Sequence, residues 1–330
     1  MKCLNTQILE HIFQIFNNDF TPLVEIRAPP VEGLPRSSLR IARSKLRETL
    51  IKNVHPSIPI NWNCALKSVK ELENGKIQIS LSDGNEDECD LLIVADGSKS
   101  IVRRILRPSH QLNFAGVCSI TGGTHHLDKF PSPLDQTWGE AIGGDGHFLF
   151  VAASDQTTAL WSISYLSSTP RQQKSPETMN DEEIDQLLEE AKERMKIFSE
   201  PATALLNEAE RISVSVFNAY DLTPFRNHGS VIFIGDAQHA MSPFAGNGAN
   251  MAIMDGYQLA EQLINSTNLD QAIQVYDNLS IPRSTRAINM SHKVISMGHS
   301  QGIWNFFWVT TLRMVSWYFG YNHRHDQQSN

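Results

Sequence analysis

Apolar residues at Leu4, Ile8, Ile12 and Ile15, flanked by Leu9, Phe13 and Phe16, recur at helical intervals and predict a helix over 4–16. Ala28-Pro29-Pro30 breaks that pattern. From Ser38 to Ile51 the spacing is helical again, with Leu39, Ala42, Leu46 and Leu50 on one face and arginines on the other. Lys76 to Leu81 alternates strictly and predicts a half-buried strand, closed by the turn signal Asp83-Gly84. Leu91 to Ala95 is a continuous apolar run, the pattern of a strand buried on both faces of a layered sheet. It ends in Asp96-Gly97-Ser98.

Residues 112–165 are strand-rich with glycine punctuation, most clearly at Phe148–Val151 and Ala159–Tyr165. Polar residues with two prolines over 166–180 predict a surface loop. Asn180 or Asp181 then caps a helix reaching about Phe198, with Ile184, Leu187, Leu188, Ala191 and Met195 facing inward. Ser230 to Ile234 is a second buried strand, followed by a loop and a helix over 249–264 whose Met251 and Met254 are expected in the core. The order predicts an α/β protein of two domains interleaved in sequence. A layered domain is built from 1–110 and 215–290, an antiparallel-sheet domain from 111–214, and a helical tail from 291–330.

Charge narrows the function. Lys plus Arg number 28 and Asp plus Glu 36, a net charge of −8, which argues against a general nucleic-acid binder. Cys3, Cys64, Cys89 and Cys118 lie far apart, with no metal or redox spacing and no disulfide framework. The N-terminal segment lacks the pattern of a secretory signal, so the sequons at Asn265 and Asn278 read as chance and a cytoplasmic location is expected. His125-His126 reads as a chance pair, because neighbours on a strand point to opposite faces.

The segment 229–263 carries the chemistry. A buried strand delivers Gly235-Asp236 to its C-terminal end, where open sheets bind ligands. The glycine admits close approach of backbone to a ligand, and Asp236 can accept hydrogen bonds from sugar-like hydroxyls. Pro243 to Gly248 then forms a small-residue loop that runs into a helix N-terminus, where unpaired N–H groups favour negative charge.

This segment resembles the second flavin-binding motif of single-component FAD monooxygenases of the aromatic-hydroxylase type. The match runs through Gly235, Asp236, Ala237, His239, Pro243, Gly246, Gly248, Asn250, Ala252, Asp255 and Leu259-Ala260. Leu91 to Arg103 resembles the family's Asp-Gly motif, and Pro35-Arg36-Ser-Ser-Leu39-Arg40 its arginine segment. Order and spacing agree from about residue 30 to 290. The salicylate-hydroxylase and tetracycline-inactivating types are the most similar.

The resemblance implies FAD as cofactor and NADPH or NADH as electron donor. It implies transfer of one oxygen atom of O₂, through a flavin C4a-hydroperoxide, to an apolar or aromatic small molecule. It places Arg36 against the flavin, Asp236 at the ribityl hydroxyls and Asp96 near the pyrophosphate. Gly248 and Ala249, at the helix N-terminus, would stabilise negative charge on reduced flavin. No side chain is required as a nucleophile and none is assigned as catalytic; His239 is expected to be structural. Arg103 and Arg104 are expected on a solvated helix face, with phosphate contact by Arg103 as the alternative.

One feature departs from the family. No G-x-G-x-x-G turn follows an opening strand, and Gly143-Gly-Asp-Gly146 precedes an apolar run instead of a helix. The expectation is that residue 1 falls inside the usual FAD domain, short of at least a ~30-residue βαβ unit, and that flavin is held weakly. A redox-silent homologue that binds a small molecule or a partner is the alternative function. The aromatic stretch 302–321 is expected to pack on the antiparallel-sheet domain or in a homodimer interface, with weak membrane attachment as the second reading.

Overall fold

The computed structural model describes residues 12–26, 32–33 and 41–318. Two compact units emerge, each assembled from separate stretches of chain. One holds the described residues of 1–58, 117–218 and 296–330, and the other holds 59–116 and 219–295.

The first unit is built on a seven-stranded sheet. Its strands are β1 (Ile12–Asn17), β2 (Pro22–Ile26), β7 (Asn113–Gly123), β8 (Thr137–Ile142), β9 (His147–Ala153), β10 (Ala159–Leu166) and β11 (Ser215–Asp221), in the order β11-β7-β10-β9-β8-β1-β2. β8, β9, β10 and β7 pair antiparallel, and β1 joins β8 in parallel. A helix expected over 4–16 is therefore a strand where the chain is described. Ile-Phe-Gln-Ile-Phe is a nearly continuous apolar run that suits a strand inside a sheet as well as a helix, and pairing on both sides by β8 and β2 decides between them. Gly139 is required where β1 and β8 meet, since a Cβ there would lie 1.8 Å from the Gln14 carbonyl oxygen.

One sheet face carries Ala141, Leu149, Val151, Trp161 and Ile163, all buried. Against it pack α3 (Asp181–Met195), through Ile184, Leu187, Ala191 and Met195, and α4 (Glu200–Asn207), through Ala202, Leu205 and Leu206. Asn180 opens α3 with a reciprocal cap: its side chain accepts the Glu183 N–H, and the Glu183 carboxylate accepts the Asn180 N–H. Helix α1 (Arg43–Lys52) is shorter than the stretch expected over 38–51, and residues 38–40 lie outside the described ones. It buries no residue, and Leu50 of its expected inner face is 52% exposed. Helix α8 (Gly302–Tyr318) packs along β2, while Ile303, Phe306 and Trp317 face outward. No helix of the described residues is long and apolar enough to cross a membrane.

The second unit contains an antiparallel meander of β3 (Leu66–Glu71), β4 (Ile77–Leu81) and β5 (Glu86–Cys89). Beside it in the same unit is a parallel pair, β6 (Leu92–Val94) with β12 (Val231–Phe233). β12 is buried on both faces as its apolar run predicts. Val231 and Phe233 pack with Val94, Val102 and Phe225. Ile232 packs against Leu259 of α6 (Gly248–Asn265) and Ile273 and Tyr276 of α7 (Leu269–Gly298). β6 is not buried on both faces: Ile93 is 45% exposed. Among the described residues β6 pairs only with β12. Met254 is likewise exposed, on the outer side of α6.

Candidate active site

The parallel register of β6 and β12 brings the two loops of the candidate site together. Val231, Ile232 and Phe233 stand opposite Leu92, Ile93 and Val94, and the Ile234 N–H donates to the Val94 carbonyl at 3.0 Å. Parallel pairing brings the two C-terminal ends to the same edge, so Asp96-Gly97 and Gly235-Asp236 leave the sheet side by side. Gly97 (φ 81°) and Gly235 (φ 56°) both adopt backbone that favours glycine. At Gly235 there is a second constraint, because a Cβ would meet the Ala252 Cβ at 3.1 Å.

Arg103 fixes the spacing of the two loops. It lies on α2 (Ile101–Leu106) and is buried, contrary to the solvated face expected. Its guanidinium donates to the Ser98 carbonyl, to the Ala237 carbonyl at 2.9 Å and to the Asp236 carbonyl at 3.5 Å, while Nε donates to the His110 carbonyl at 3.2 Å. Burial lowers its pKa from the ordinary arginine value, but it stays a cation among carbonyl dipoles. Arg103→Met should leave these buried carbonyls unpaired and lower stability by about 2–4 kcal/mol, read as a fall in the urea midpoint. Arg104→Met, on the same helix, serves as the control.

Asp96 is exposed, and its Oδ2 accepts the N–H of Ile101 at 2.9 Å and of Val102 at 3.4 Å, so it caps α2. Asp236 opens a single helical turn, α5 (Asp236–His239), and is half-buried. Beneath it sits the residue that sequence reasoning undervalued. Asp255 of α6 is fully buried and accepts from the Gly235 N–H (2.8 Å), His239 Nε2 (2.6 Å), the Ser280 hydroxyl (3.0 Å) and Arg283 (2.5 Å). Burial alone would raise its pKa. The hydrogen bond and charge of His239, with the Gly235 N–H and Ser280, outweigh that and hold the carboxyl below its ordinary value. A lone Asp spaced four residues from both Met251 and Leu259, on the inward side of an amphipathic helix, was the available signal. His239 is structural, as expected: it is buried and bonded to Asp255.

The loop before α6 is equally well anchored. Asp221 accepts the Ser242 N–H at 2.6 Å. The Ser291 hydroxyl donates to the Ser242 carbonyl at 2.8 Å and accepts the Ala245 N–H at 3.2 Å. Gly246 then takes a left-handed turn. The helix that follows has no side-chain cap and no acid in its first turn, and Ala249 and Asn250 are exposed. An 18-residue helix thus presents open N–H groups and the positive end of its dipole. These residues fit a dinucleotide flavin: a close-approach glycine, a carboxylate for hydroxyls and an open helix start for negative charge. Arg36 lies outside the described residues. His125 and His126 are exposed in the segment after β7.

Such a site, a glycine turn and an open helix start at one sheet edge, fits a flavin-binding protein. Residues 23–291 match the family model described as "FAD binding domain". The chain is 31% identical to monooxygenase cfoF of Aspergillus candidus over 299 residues, covering 87% of this chain and 71% of that protein. It is 29% identical to salicylate hydroxylase of Pseudomonas putida, covering 66% of this chain and 54% of that one. In fold it is similar to Klebsiella pneumoniae HpxO, solved with FAD and uric acid. The TM-score is 0.76 at 19% identity, covering 93% of this chain and 77% of that one. The chain belongs to the FAD-binding-domain family of FAD-dependent monooxygenases.

Proposed function

We propose that this chain is an NAD(P)H-dependent flavin monooxygenase acting on an apolar small molecule. One observation carries the reading: parallel pairing of β6 and β12 brings Gly97, Gly235, Asp236 and the uncapped start of α6 to one edge. When bound, FAD would supply the electron transfer and oxygen activation that no side chain here can. Asp236 would hold ribityl hydroxyls, and the Ala249 N–H would face the ring edge where reduced flavin is negative. Asp255 and Arg103 would keep those groups in place. Arg36 and Asp96 are assigned to the flavin and the pyrophosphate on resemblance. The relatives' names support an aromatic substrate, since one is a salicylate hydroxylase.

The test is reconstitution. FAD is titrated into the chain and followed by visible absorbance, and NAD(P)H oxidation is then measured. Asp236→Ala should lose a charge-assisted hydrogen bond of about 1.5–3 kcal/mol, so the flavin dissociation constant should rise about 10- to 150-fold. An unchanged constant refutes the Asp236 assignment, and absence of flavin-dependent NAD(P)H oxidation refutes the activity.

A further inference from the structure

The seven-stranded sheet has a second face, opposite the one covered by α3 and α4, and its chemistry is unusual. Alternation along β1, β8, β9, β10 and β7 puts one row of side chains across it: Ile15, Glu140, Phe150, Ser162 and Thr121, each directly opposite the next in register. Thr121 extends the row by a hydroxyl contact with Ser215 at 3.2 Å. Beside Glu140 runs an aromatic strip. Phe13 meets Trp138 edge-on at 4.8 Å between centroids, and Trp138 meets Phe150 at 6.2 Å. Phe13, Trp138, Phe150, Ser162 and Thr121 are only half-buried.

Glu140 is buried like its neighbour Ile15, at 8% exposure, and its carboxyl has no hydrogen-bond or ion-pair partner among the described residues. Isolated burial of this kind is costly to a carboxylate, and it pushes the pKa up to about 8. At neutral pH the group is a carboxylic acid whose O–H has no acceptor among the described residues. An apolar aromatic strip, a row of hydroxyls and one unmatched acidic donor at their junction form a surface built for a ligand. No strand side chain on this face is Lys or Arg, and the imidazole of His299, which packs on Phe148, is bonded to Ser164 at 2.9 Å in the neighbouring row.

We propose that this face binds a neutral, flat, largely aromatic molecule through a hydroxyl or carbonyl oxygen, and that Glu140 is the residue that selects for that oxygen. The inference rests on the monooxygenase reading and narrows its substrate class to neutral phenols and ketones, in place of aromatic carboxylates. Rings would lie on Phe13, Trp138 and Phe150. The oxygen would accept from Glu140, and Ser162 and Thr121 would serve further polar groups.

Binding is tested without turnover, by equilibrium dialysis of the whole chain at pH 7 against 2-naphthol, naphthalene and 2-naphthoate. The expected order is 2-naphthol about tenfold tighter than either of the others, the worth of one buried hydrogen bond. Glu140→Leu should erase the preference for 2-naphthol over naphthalene, and Glu140→Gln, which keeps a neutral donor, should retain it. Circular dichroism of both variants establishes that they are folded. The proposal is overturned if 2-naphthoate binds as well as 2-naphthol, if no probe binds, or if Glu140→Leu keeps the preference. Flavin titration of the same samples reads the monooxygenase assignment separately. A chain that takes up flavin but shows no Glu140-dependent preference loses this proposal alone. A chain that shows the preference without binding flavin loses the oxidative reading alone.

Discussion

Glu140→Gln is expected to raise the unfolding temperature at pH 7.5, and the gain should vanish as the pH falls to about 4.5. In the unfolded chain a glutamate releases its proton near its ordinary value of 4.5; in the folded chain Glu140 keeps it until about pH 8. Between those values the folded state binds one more proton than the unfolded state, so stability falls as pH rises. Three pH units at about 1.4 kcal/mol each give a loss of about 4 kcal/mol by pH 7.5. Glutamine has no proton to lose and escapes the penalty. Melting curves of the two proteins should therefore coincide near pH 4.5, diverge by several degrees at pH 7.5 and run parallel above about 8. A difference that does not change with pH would show that Glu140 is already ionised or already paired. Glu140 thus lowers stability at neutral pH in its present environment. A group that does so is more readily explained by a ligand than by the fold.

Asp255→Ala should act in the opposite direction, and strongly. The carboxylate receives four donors, and two of them, His239 and Arg283, carry or can carry positive charge. Removing one partner of a buried charged cluster leaves the others unpaired, at a cost of about 3–5 kcal/mol. Because one of the donors is the Gly235 N–H, the damage should reach the Gly235-Asp236 turn and weaken flavin binding as well. Urea unfolding reads the first effect and flavin titration of the folded fraction reads the second. Asp255→Asn keeps the shape and part of the hydrogen bonding, so it should fall between the wild type and Asp255→Ala in both. If Asp255→Ala binds flavin normally, Asp255 supports the fold but does not position the site.

Strands β4, β9, β10 and β12 and helices α3 and α6 were legible because alternation or 3.6-residue spacing ran unbroken and caps or glycines marked their ends. So was the placing of Gly235-Asp236 at the end of a buried strand and of a small-residue loop before α6, since an apolar run closed by Gly-Asp marks a strand end. Segment 12–17 was not legible, because a short apolar run suits a strand or a helix and the choice was made by β8, more than 100 residues away.

Arg103 shows the limit most plainly. Beside Arg104 on a short helix it reads as solvated, and nothing nearby in sequence announces its acceptors. Two of its carbonyls belong to residues 236 and 237, brought within reach only when β12 pairs with β6. Glu140 and Asp255 follow the same rule. The sequence by itself determined where β4, β9, β10 and β12 run and where their chains turn, because these depend on local periodicity and on glycine. Only the tertiary structure decided which charged side chains lie inside and who partners them, because burial and pairing are set by elements that meet across the fold, and no local pattern encodes the distance between them.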